Sequence, residues 1–84
     1  MRIAEEIAEM KYAASLEGKS QAELKKALRD RIDELLDQYV CRQLAQERAD
    51  GVEGKAWKYA MAFWAEFRER ESTYYNRVVD LIEE

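Results

Sequence analysis

The stretch from Ser20 to Asp50 constrains the fold of this chain more than any other feature. It opens with Ser20-Gln21-Ala22-Glu23, a capping box in which the serine hydroxyl accepts an orphan backbone N–H and the glutamate reaches back to the cap residue. It closes at Asp50-Gly51, where glycine can adopt the left-handed cap conformation. No proline interrupts it, and none occurs anywhere in the 84 residues. A helix of about 30 residues rising 1.5 Å each is a rod roughly 45 Å long. Other elements must therefore pack along a rod.

The flanking segments predict the partners of this second helix. Helix 1 is expected over about 2–16, with Ile3, Ile7, Met10 and Ala14 on one narrow seam. Ala4, Ala8 and Ala13 keep the adjoining surface slim. Glu17-Gly18-Lys19 is a connection short enough to make helices 1 and 2 antiparallel neighbours. Along helix 2, expected over about 21–50, Leu24, Leu28, Ile32, Leu35 and Tyr39 form the main seam. A second stripe, Leu36, Val40 and Leu44, begins only halfway along. The distal half thus asks for two neighbours, whereas helix 1 is long enough to cover only about half of the rod. Helix 3, expected over about 54–84, carries Trp57, Ala60, Met61, Phe63, Trp64 and Phe67 on an apolar arc wider than the ~100° of an ordinary surface helix. Ser72-Thr73 is a possible break, since both residues cap helices well and sit poorly inside them.

The fold class that follows is all-α, one domain over 1–84: an antiparallel three-helix arrangement with two long helices, completed by dimerisation into a helical bundle. Hydrophobic content of 48% supports a folded core despite 38% charged residues. A net charge of −4 disfavours nucleic acid as a partner, because phosphate contacts need surplus Lys and Arg. The lone Cys41 admits no internal disulfide and suits a cytoplasmic setting. No signal peptide or membrane span is evident. The absence of histidine removes the usual general base and the commonest transition-metal ligand. No catalytic site and no cofactor are expected.

Two constellations nevertheless look like chemistry. Glu5, Glu6 and Glu9 read E-E-x-x-E, and Glu34 with Asp37 reads E-x-x-D. This pattern resembles the all-helical nucleotide pyrophosphohydrolases of the MazG type. The resemblance implies a Mg²⁺ site built from Glu5, Glu6, Glu9, Glu34 and Asp37, with a nucleoside triphosphate as substrate. Leu28 to Leu35, with Arg48 and Lys55 downstream, is similar to the first helix of the helical chorismate mutases. That likeness implies a dicarboxylate held by arginines and a lysine. Helical phase alone leads elsewhere, because Asp30, Asp33, Glu34 and Asp37 centre opposite the Leu24–Tyr39 seam and should face solvent. The small basic patch Lys25, Lys26 and Arg29 is offset by the neighbouring Asp30 and Asp33.

The aromatic arc is the better working surface. The expected interaction residues are Tyr59, Phe63, Trp64, Phe67, Glu71, Tyr74 and Tyr75. Tyr and Trp bury large areas at low entropic cost and are enriched among interface hot spots. Trp57, Trp64 and Phe67 are expected to serve mainly as core, with Tyr59, Tyr74 and Tyr75 at the edges of the arc. Glu71 has two readings. In a continuous helix it lies inside the apolar arc and needs a partner, either Arg68 or a residue across an interface. With a break at Ser72 it swings into solvent. The function that follows is a small non-enzymatic module that binds another protein, as a homodimer, and acts as an inhibitor or adaptor by steric masking. In general character it resembles accessory proteins of phages and mobile elements. The alternative is the Mg²⁺-dependent pyrophosphohydrolase.

Overall fold

The computed structural model describes residues 3–82, and all the regular structure within them is helical. Three helices follow one another: α1 (Ile3–Glu17), α2 (Gln21–Ala49) and α3 (Gly54–Asp80). The expected ends at Arg2 and Glu84 lie outside the described residues. The start of α2 is capped as its sequence demands, with the Glu23 backbone N–H donating to Ser20 Oγ at 3.2 Å. The reciprocal arm differs, because the serine hydroxyl donates to the Glu23 carboxylate at 3.2 Å.

Both connections are glycine-terminated Schellman turns. Gly18 takes φ +71° while the Lys19 N–H reaches back to the Ala14 carbonyl at 3.0 Å. Gly51 takes φ +87° with the Val52 N–H on the Glu47 carbonyl, also at 3.0 Å. Orphan carbonyls at each helix end are satisfied, and each turn reverses the chain. Cross-helix pairs confirm the antiparallel sense: Glu6 with Arg31, Asp37 with Arg68, and Arg29 with Asp80.

Helix α2 is the shared spine, with α1 and α3 both packed along it. The result is a rod measuring 51 × 19 × 15 Å. Its radius of gyration, 15.9 Å, exceeds the roughly 12 Å of a compact domain of this length.

The core is aliphatic and confined to one half. Ile3, Ile7 and Ala14 of α1, Leu24, Leu28, Ile32 and Leu36 of α2, and Val79 and Ile82 at the end of α3 form one buried cluster. Met10, Leu35, Tyr75 and Val78 pack against its edges. In the distal half of the rod, past the level of Leu36, only Val40 and Ala60 are buried among the described residues. Tyr39 and Leu44, expected on the two stripes of α2, are half-buried. The reason is coverage, since α1 ends at this level and leaves the distal part of α2 with α3 alone.

Helix α3 passes through Ser72-Thr73 without a break. Thr73 Oγ1 donates to the Glu69 carbonyl at 3.0 Å, and Ser72 Oγ donates across to Asp33 at 3.4 Å. With acceptors available inside and across the helix, neither hydroxyl is needed as a cap. The helix does stop short of the expected position, at Asp80. A final turn, with the Ile82 N–H on the Val79 carbonyl at 3.1 Å, returns Ile82 to the core.

Candidate interaction surface

The two flanks of the α2–α3 pair differ in chemistry. One is a polar ladder. Arg68 Nε donates to Asp37 at 2.5 Å, Ser72 donates to Asp33, Asn76 Nδ2 donates to Ser72 at 3.4 Å, and Arg29 pairs with Asp80. Asp33 and Asp37 are exposed as expected, yet they are not a free solvated face. Because α3 lies over the Leu36–Val40 side of α2, it brings its own polar residues to the same rim.

The other flank is aromatic. Tyr39 of α2 meets Trp64 with ring centroids 6.0 Å apart and Phe67 at 5.5 Å. Trp64 and Phe67 are 5.3 Å apart, and Phe63 stands perpendicular to Trp64 at 5.0 Å. Edge-to-face pairing of this kind suits the quadrupoles of the rings. At the distal end the Arg48 guanidinium lies 4.1 Å over the Trp57 ring. None of Trp57, Trp64 or Phe67 is fully buried, which corrects their expected place in the core. Two helices cannot enclose a ring on every side. The buried Trp64 Nε1 finds no hydrogen-bond acceptor among the described residues.

Further outward on α3 the aromatic surface opens to solvent. Tyr59 is 75% exposed, Phe63 57% and Tyr74 59%. Tyr75, expected beside them at the edge of the arc, instead packs against the core. Burial, then Glu71 and Tyr74, push its phenol above the usual tyrosine range. Glu71 is half-buried on the continuous helix, and Arg68, one of its two expected kinds of partner, is held by Asp37. No ion pair among the described residues includes Glu71.

Arg29, Arg31 and Arg68, which face neighbouring helices, are neutralised internally, whereas Arg42 and Arg48 have no carboxylate partner among the described residues. Arg31 binds Glu6 at 3.0 Å and Glu34 at 3.1 Å. That hydrogen bond holds the Glu6 carboxyl below the usual carboxylate range, against a smaller opposing effect of burial. Arg70 and Arg77 have no carboxylate partner among the described residues. Arg70 lies 5.9 Å from the Phe67 ring. Sequence reasoning passed over both, although their spacing carried the signal. Phe63, Phe67, Arg70, Tyr74, Arg77 and Leu81 alternate by four and three, the period of a helix–helix seam. Also unforeseen are Tyr12 and Leu16, an exposed pair one turn apart on α1.

The acidic constellation does not converge. Glu6 and Glu34 are bridged by the Arg31 guanidinium, and Asp37 is engaged by Arg68 on another helix. Glu5 and Glu9 are exposed on α1. No group of three potential metal ligands occurs among the described residues. Arg29 and Arg48 lie about 28 Å apart along α2. One pairs with Asp80 and the other with Trp57, so they form no common anion site. No helix among the described residues is long and apolar enough to cross a membrane. Set against protein-family models, curated proteins and solved structures, the chain has no match.

Proposed function

We propose that this chain is a non-enzymatic protein-binding module, acting in the cytoplasm as an inhibitor or adaptor that masks a functional surface of its target. One observation carries the reading. An aromatic strip on α3 stays open to solvent, running from Phe63 (57% exposed), in the half of the rod that α1 does not reach, to Tyr74 (59% exposed), level with α1 but on the outer side of α3. Exposed aromatics clustered on a rigid element are the composition of interface anchors rather than of an ordinary surface. Arg70 and Arg77 add unneutralised donors among them. Arginine beside aromatic residues is favoured at protein interfaces, where its planar head stacks and forks at once. Binding would add rings and guanidinium groups to a preformed helix face, so little ordering entropy opposes it.

The test is site-specific photo-crosslinking in the native host from Tyr59, Phe63 and Tyr74, with Ala45 on α2 as control. Discrete adducts from the strip, absent at Ala45 and abolished in a Tyr59→Lys/Phe63→Lys/Tyr74→Lys variant that remains folded, are the expected result. Adducts spread evenly over both positions would overturn the reading. So would unfolding of the triple variant, because those side chains would then be core.

A further inference from the structure

Resting on the reading of α3 as a docking surface, the next question is what occupies it. The stripe Phe63, Phe67, Arg70, Tyr74, Arg77 and Leu81, exposed except at the half-buried Phe67, alternates by four and three along a single helix face. Phe67 is half-buried against Tyr39 of α2, whereas Phe63, Arg70, Tyr74, Arg77 and Leu81 turn outward and are left exposed by α2. The order of residue types has a further property. Reversed about the level of Ser72, Phe63 exchanges with Leu81, Phe67 with Arg77, and Arg70 with Tyr74. Apolar meets apolar at the ends, and each arginine meets an aromatic ring in the middle. A two-fold interface requires this of its surface, since residue i must suit residue j while j suits i.

The flank of the stripe obeys the same reversal. Glu66 exchanges to within one position of Arg77, placing opposite charges beside each other where same-side flanks of an antiparallel helix pair meet. Neither Glu66 nor Arg77 has an ion-pair partner among the described residues. By contrast Arg29, Arg31 and Arg68, which face neighbouring helices, are each matched by a carboxylate within the chain. The intramolecular contact of Arg70 with Phe67 at 5.9 Å is at the outer limit of a cation–π pair. The Tyr74 ring of a reversed copy offers that guanidinium a second face.

We propose that a second copy of this chain occupies the strip, the two α3 helices lying antiparallel about a two-fold axis level with Ser72. Arg70 and Arg77 of each copy then lie over Tyr74 and Phe67 of the other, and Glu66 pairs with Arg77 across the axis. The Tyr39–Trp64–Phe67 array gains cover at Phe67, while the polar ladder on the far flank is untouched. Tyr59 projects beyond the paired length and remains available to a different protein.

Cross-linking tests the register. Phe63 and Leu81 lie about 27 Å apart along α3, too far to bond within one chain. In a Cys41→Ser background, Phe63→Cys combined with Leu81→Cys should yield a covalent dimer under mild oxidation, whereas neither single variant should. Self-linking of Phe63→Cys alone would mean a parallel pair and overturn the register. Light scattering of the wild-type chain should report a dimer. Arg77→Glu, which sets like charges opposite Glu66, should weaken it about tenfold or more. A wild-type monomer at every soluble concentration would remove the second copy as the occupant. The docking surface itself would still stand if strip-specific adducts to a protein of another mass persisted, so the two failures are distinguishable.

Discussion

The two halves of α2 are built from the same kind of helix yet solve different packing problems. From Leu24 to Leu36 the spine has α1 on one side and α3 on the other, and Leu28, Ile32 and Leu36 are all at most 1% exposed. From Tyr39 onward it has α3 alone, and the contact is made by rings that are half in water. Branched aliphatic side chains repay burial only where they are enclosed on all sides. Aromatic side chains gain from a single flat contact and can keep an edge or hydroxyl in solvent. The lesson is that residue type tracks the number of neighbouring helices, and where the count falls to two, surface suited to association is left over.

The sharpest way to break this contrast is to cut into each half in turn. Leu36→Ala should cost about 3 kcal/mol and lower the melting temperature by about 12–24 °C for a chain of this size. Phe63→Ala, measured as a dilute monomer, should cost no more than about 0.5 kcal/mol. Equal losses would mean that the distal rings are core and the contrast is false. Next in size, Gly51→Ala forces a side chain into φ +87° at the distal turn and should cost about 1–2 kcal/mol in thermal or urea melts. Ser20→Ala removes the proximal cap and should cost about 1 kcal/mol, with hydrogen exchange quickened at the start of α2 and unchanged beyond Val40. Uniform quickening would show the halves to be one cooperative unit.

The smallest effects are electrostatic. Because Arg31 lowers the carboxyl pKa of Glu6 in the folded state, the unfolded chain takes up that proton first as pH falls. The contribution is complete above about pH 4.3 and disappears as pH drops through the lower folded value. Glu6→Gln should flatten that acid limb in melts followed against pH. Tyr75 acts in the opposite range. Its raised pKa means the unfolded chain releases the proton first above about pH 10, so stability should decline there, and Tyr75→Phe should remove the decline.

Much of this was legible locally. The capping box at Ser20 and the glycines at 18 and 51 marked the ends of α2 and the end of α1 to within a residue or so, because caps are satisfied by near neighbours. The Ile3–Ala14 seam and the Leu24–Ile32 part of the main seam were legible for the same reason, since helical period is a local property. Less legible was anything that depends on a second element. The hydroxyls of Ser72 and Thr73 argued for a break until their acceptors, one of them on α2, were in view. Arg68 was one of two candidate partners for Glu71 on a continuous helix, yet it reaches Asp37 across the groove.

The chain's own periodicity and end signals determined that it would form three helices, where α2 begins and where the first two helices end. They also determined that α3 would carry a wide apolar arc rich in aromatic residues between Trp57 and Phe67. Only the tertiary arrangement decided which aromatics are wet and which carboxylates are matched, because both depend on how α1 and α3 lie along α2. Helix length is written in hydrogen bonds a turn apart. Coverage is set by the mismatch between a 15-residue helix and a 29-residue spine once they lie side by side.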